Sequence, residues 1–152
     1  GGIGNGRGLA AALAMGAGGV VMGTRFKATP EFLGPPEQKQ QIVASDGGNT
    51  VQNLIVDLAY GAPWPHGVVG RVLANDFTDE WLGREQDLVR AVEEAGVDAF
   101  VAALDSDARR ALNWAGESSG LVDAVIPAGE VVRRTVAEAE ALLRRVGDRF
   151  SR

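Results

Sequence analysis

The chain has 152 residues, 45% apolar and 23% charged, with a net charge of −5, which is the profile of one globular domain long enough to bury a core. That acidic balance, with an isoelectric point near 4.9, argues against nucleic acid or an anionic membrane surface as partner. No cysteine is present and His66 is the single histidine, which excludes disulfides, thiolate or multi-histidine metal sites and a cysteine nucleophile; no apolar run reaches the roughly 18 residues of a membrane span, and the default expectation is a cytoplasmic protein.

Glycine is in excess, with 21 in the chain, nine of them in the first 23 residues. The opening stretch, GGIGNGRGLAAALAMGAGGVVMGTRF, reads as a strand end at Gly1-Gly2, a helix over Gly6 to Ala17, and a short buried strand at Val20 to Met22 closed by Gly23-Thr24. Leu9, Ala12, Leu13 and Gly16 share one face of that helix, and Gly16, Gly18 and Gly19 stop it. Strand end, helix and strand make one α/β unit with a right-handed connection. A chain starting on such a unit, with no lead-in strand, is expected to be cut there rather than begun there.

Downstream the repeat stops. Thr29-Pro30-Glu31 is a helix-start signature, and Pro35-Pro36 precedes a polar helix over about Glu37 to Ala44. Asp46 to Asn49 is a turn, and the period of Thr50 to Ala59 does not separate strand from helix. Gly61 to Gly70, with Pro63-Trp64-Pro65-His66-Gly67, is an irregular loop. A helix is expected from Thr78 as N-cap, with Trp81, Leu82, Leu88, Val89 and Val92 facing a core, up to Gly96. Another is expected over Ser106 to Ala115. After Pro127 comes a long amphipathic helix whose stripe runs Val131, Val132, Thr135, Val136, Ala139, Leu142, Leu143 and Val146, with Glu138, Glu140, Arg144 and Arg145 on or beside its wet face. Two strand positions cannot make a covered parallel sheet, so the rest of the sheet is expected in a preceding part of the polypeptide.

The chemistry is expected at the two glycine-bearing strand ends, Gly1-Gly2 and Gly23-Thr24. Glycines let backbone N–H groups approach a phosphate, Thr24 adds a hydroxyl, and in parallel α/β barrels the loops after the last two strands hold such a group. The same glycines also suit tight turns alone, and spacing leaves both readings open.

The first 26 residues resemble the last two strand ends of the nitronate monooxygenase (2-nitropropane dioxygenase) family. "GAPWPHGVVGRVLANDFTDEWLGRE" and "WAGESSGLVDAVIPAGEVVRRTVAEAEALL" resemble its post-barrel and C-terminal segments, in order. Inosine-phosphate dehydrogenases share part of the glycine pattern but lack the MGTRF ending. The resemblance implies an α/β fold: the C-terminal part of a TIM (β/α)8 barrel, at its last two strand positions, over residues 1–28, followed by a mostly helical segment over 29–152. It implies FMN as cofactor, with Gly2 at a backbone phosphate contact and Val21, Met22, Gly23 and Thr24 closing over the phosphate. Val21 stands where the family more often has Gln, which leaves a backbone contact there. Asn5 stands where Asp is common. The full enzyme would oxidise a small nitronate with dioxygen; the alternatives are an FMN-dependent enoyl-acyl-carrier-protein reductase or a non-catalytic truncated remnant.

No catalytic residue and no metal site is expected within the chain. Arg7 reads as a solvated first-turn residue and His66 as a surface-loop imidazole. Trp64, Trp81 and Trp114 read as core anchors. Asp76, Asp79 and Glu80 read as acids opening a helix, where the dipole favours them.

Overall fold

The computed structural model describes residues 1–62, 64, 65 and 67–150, and the expectation for His66 falls outside them. The chain divides into two compact units, one made of residues 1–48 and 116–152 and the other of residues 49–115.

In the first unit, Asn5 opens helix α1 (Gly6–Ala14), its side-chain oxygen accepting the Gly8 N–H, the cap that asparagine supplies best. The buried face of α1 is Gly6 and Ala10, not the Leu9 and Leu13 stripe expected from the apolar pattern. Small residues win because they let α1 lie against the long final helix, α8 (Ala128–Phe150). A Cβ on Gly6 would stand 2.5 Å from the Thr135 carbonyl oxygen. On α8 the buried residues are Val131, Thr135 and Ala139, while Val132, Val136 and Val146 are exposed. Glu138 is not a wet-face bystander: its Oε2 accepts the Gly6 N–H at 2.8 Å.

Val20 to Met22 does not form the expected buried strand. The segment has no ladder partner among the described residues, and Val21 is 78% exposed. A parallel strand needs neighbours on both sides, and this chain places none there. A short helix, α2 (Gly23–Lys27), comes directly after it. Thr29-Pro30-Glu31 starts no helix; the buried Thr29 hydroxyl instead donates to the Phe26 carbonyl at 2.8 Å, closing α2. Helix α3 (Pro36–Ala44) and the Asp46–Asn49 turn lie where the sequence places them, the Gly48 N–H donating to Asp46 Oδ1. Ser45 and Ser119 then share a buried hydrogen bond of 2.8 Å, tying that turn to a 3₁₀ turn over Glu117–Leu121.

In the second unit the ambiguous stretch is both kinds of element: strand β1 (Thr50–Asn53) turns at Leu54 into helix α4 (Ile55–Tyr60). β1 pairs antiparallel with β2 (Gly70–Leu73) in the register Thr50 to Leu73 and Asn53 to Gly70. Helix α5 (Asp76–Trp81) is capped by Asn75, three residues earlier than the expected Thr78. Thr78 is the other half of a capping box, its hydroxyl accepting the Asn75 N–H. The long helix expected up to Gly96 is broken at Leu82–Arg84, before α6 (Glu85–Ala95), and Leu82 is exposed.

The helix expected over Ser106–Ala115 lies earlier, as α7 (Val97–Ser106). Asp107 ends it by accepting the Arg109 N–H on its side chain and the Arg110 N–H on its carbonyl, an Asx-type turn. The chain then runs extended beside β2, with Leu73 N–H donating to Asn113 and Ala115 N–H donating to Arg71. Of the three tryptophans, Trp81 is a core anchor at 8% exposure, beside Ile55, Phe77 and Leu88. Trp64 and Trp114 are exposed rather than core residues, and the Trp114 ring covers Gly70. Asp76 and Asp79 do open a helix, and Asp76 and Glu80 pair with Arg109 and Arg110. No helix among the described residues is long and apolar enough to cross a membrane.

Candidate functional site

The expected site residues all lie in the first unit. Gly2 takes a φ of +78°, which glycine alone adopts without strain, and a Cβ built on it meets nothing within 4 Å. Gly23, the first residue of α2, is equally open. Met22 precedes it with extended backbone, and as N-cap residue makes no side-chain cap bond to the first N–H groups of α2. Thr24 is half-buried, and its Oγ1 accepts the Gly116 N–H at 2.9 Å. That bond uses the hydroxyl as acceptor and leaves its own hydrogen to donate. Val21 turns outward, so only its backbone serves a site here.

Two neighbouring glycines are held by packing. A Cβ on Gly4 would stand 2.9 Å from Leu121 Cβ, and one on Gly6 would strike α8 backbone. They fix the turn between Gly2 and α1 against the 3₁₀ turn and α8.

Arg25 is the residue that sequence reasoning passed over. It is 4% exposed, and its Nη2 donates to the Ala124 carbonyl at 2.8 Å. Desolvation pushes its pKa below the ordinary arginine value, Asp123 opposing that shift and Arg134 adding to it. Its signal in the sequence was a cation, two residues before Lys27, in a stretch otherwise of small and apolar residues. A polar pocket of about 250 Å³ gathers Asn5, Arg25, Asp123, Arg134 and Glu138. Two cations and two carboxylates leave it with no net pull on a dianion, and none of Gly2, Val21, Met22, Gly23 or Thr24 lines it. Arg7 is exposed, as expected for a solvated first-turn residue.

Comparison with known proteins adds a family. The sequence model of the family described as Nitronate monooxygenase matches residues 1–138. A nitronate monooxygenase of Neurospora crassa is 33% identical over 149 residues, covering 96% of this chain and 38% of that protein. One from Metarhizium robertsii is 37% identical over 147 residues, covering 94% of this chain and 41% of its own length. Among solved structures, FabK from Thermotoga maritima superimposes with a TM-score of 0.78 at 31% identity, over 97% of this chain and 45% of FabK. The chain thus spans about two fifths of the length of the curated relatives it matches.

Proposed function

Since the chain belongs to the nitronate monooxygenase family, we propose that it supplies the phosphate-binding end of an FMN-dependent oxidoreductase built on a (β/α)8 barrel. Residues 1–28 act as the barrel's closing stretch, and residues 29–152 form the mostly helical segment that packs on the barrel. Gly2, Gly23 and Thr24 hold the FMN phosphate, with backbone contacts from Val21 and Met22. The observation that supports this is the open space over Gly2 and Gly23, in a segment where neighbouring atoms close over Gly4, Gly6 and Gly8 and leave Gly1, Gly16, Gly18 and Gly19 open as well. A group bearing anionic oxygens fits there because the head of α2 offers N–H donors that its N-cap residue, Met22, leaves uncapped. Bound flavin would take electrons from a small nitronate and pass them to dioxygen. This chain's own part is to hold and orient the cofactor's phosphate.

The test is a titration of the ¹⁵N-labelled chain with FMN and with riboflavin. FMN is expected to shift the Gly2, Gly23 and Thr24 amide resonances, and riboflavin, lacking the phosphate, is expected to leave them in place. Gly23→Val is expected to remove the FMN response, because its side chain would occupy the space now open. Unmoved amides at saturating FMN, or equal responses to both ligands, would overturn the assignment. In the polypeptide carrying the remaining barrel, oxygen uptake with propionate 3-nitronate supports the monooxygenase reading. Turnover of an enoyl thioester with NADH would replace it with the reductase alternative.

A further inference from the structure

The second unit holds a cavity of about 610 Å³ between α4, α6 and the loop after α4, within the size range of small-molecule sites. Its wall is mainly apolar, with Leu58, Trp64, Val68 and Val92 among its residues. The charged residues among its described lining are Asp57 and Glu93, both acidic.

Asp57 is the unusual member. It sits in α4 at 6% exposure. Its carbonyl accepts the Ala62 N–H at 2.9 Å, and its Oδ2 accepts the Gly70 N–H at 3.2 Å, so it clips both ends of the loop that borders the cavity. That clip uses one carboxylate oxygen. Oδ1 is buried and has no hydrogen-bond partner among the described residues. A buried carboxylate oxygen without a donor is costly, and a donor brought by a ligand relieves that cost most when it is charged. Apolar walls, two carboxylates and no basic residue among the described lining together select one chemistry.

We propose that this cavity binds an apolar ammonium compound, with the Asp57 carboxylate holding the nitrogen and Leu58, Val68 and Val92 covering the hydrocarbon. The site is separate from the residues assigned to the flavin phosphate and does not depend on that assignment.

Three ligands of one shape test it on the intact chain: 4-phenylbutan-1-amine, 4-phenylbutan-1-ol and 4-phenylbutanoate, each titrated by calorimetry. The amine is expected to bind at least about tenfold more tightly than the alcohol, the gain of an ion pair over a neutral donor on the same carboxylate, and the acid is expected to bind least. Quenching or shift of tryptophan emission should accompany binding, since Trp64 lines the cavity. Asp57→Asn keeps an acceptor for the Gly70 N–H and is expected to remove the amine's advantage over the alcohol. Equal affinity for all three ligands, no binding of the amine, or an unchanged amine affinity in Asp57→Asn would overturn the proposal. Should that variant fail to fold, the ranking of the three ligands on the wild-type chain decides alone.

Discussion

The position of the Gly2–Asn5 turn depends on how closely α1 approaches α8, and Gly6→Ala measures that dependence. The added Cβ would stand 2.5 Å from the Thr135 carbonyl oxygen, 2.5 Å from Glu138 Cβ and 2.8 Å from the Ala139 nitrogen. Two of those three are backbone atoms of α8 and cannot rotate away. Ordinary contact between such atoms begins near about 3.5 Å, so relief needs the helices to part by roughly 1 Å. Overpacking of a filled interface by one methyl costs about 1–3 kcal/mol, and backbone neighbours put this case at the upper end. Alanine's helix preference over glycine returns at most about 1 kcal/mol. A net loss of about 1–2 kcal/mol is expected, or roughly 2–8 °C in Tm for a chain of this size.

The parting also stretches the 2.8 Å bond from the Gly6 N–H to Glu138. Urea titration followed by far-UV circular dichroism, with thermal melts, reads the change. Gly18→Ala is the control, because its Cβ meets nothing within 4 Å and should stay within about 0.5 kcal/mol of wild type. A Gly6→Ala chain as stable as that control would refute close packing as the reason for glycine there.

Other single sites carry their own expected outcomes. Asn75→Ala removes the α5 cap and two side-chain donations to the Arg110 and Ala111 carbonyls; it should cost about 1–2 kcal/mol in urea unfolding. Tyr60 is the sole tyrosine, and burial, then its hydrogen bond to Asp105, pushes its phenol up to about 12. A spectrophotometric titration should show that late midpoint, and Asp105→Asn should bring it back toward 10. Burial pushes the Lys27 ammonium down from 10.5 to about 8, so between those values the unfolded chain binds more protons and stability rises with pH. Lys27→Met should flatten that rise in urea midpoints measured across the window.

Local chemistry was legible where one residue decides. Gly16, Pro35-Pro36, the Asp46–Asn49 turn and Pro127 placed α1, α3 and α8 close to their observed bounds. What failed was tertiary. The α1 face looked like Leu9 and Leu13, yet Gly6 and Ala10 are buried, because closeness to α8 outweighs the area of larger side chains. Gly96, at a φ of +79°, both ends α6 and begins α7, so the stop was visible while the restart was not. Trp114 looked like a helix-face anchor, but pairing with Val72 draws it into an extended segment, a long-range constraint that no local period carries. Arg25 was hidden for the same reason: its partner, the Ala124 carbonyl, lies 99 residues away.

The glycines of the opening stretch bear most directly on function, because spacing allowed them to be either turn-makers or a ligand cradle. The structure divides them by what a side chain would meet. At Gly4 and Gly6 a Cβ collides with Leu121 or with α8 backbone, and at Gly8 it reaches Ile3 at 3.0 Å; these have a structural cause. Gly2 has a conformational one, its φ of +78°. Gly18, Gly19 and Gly23 have neither, since nothing lies within 4 Å of a Cβ there and none has a positive φ. In a helix interior a glycine costs up to about 1 kcal/mol against alanine and at the first position less, so Gly23 at the head of α2 is a small cost that the packing around it does not offset. A ligand's oxygens approaching the Gly23 backbone would offset it. Gly23→Ala should therefore hold or raise the stability of the chain while weakening its response to FMN, and a loss of stability would return that glycine to the structural group.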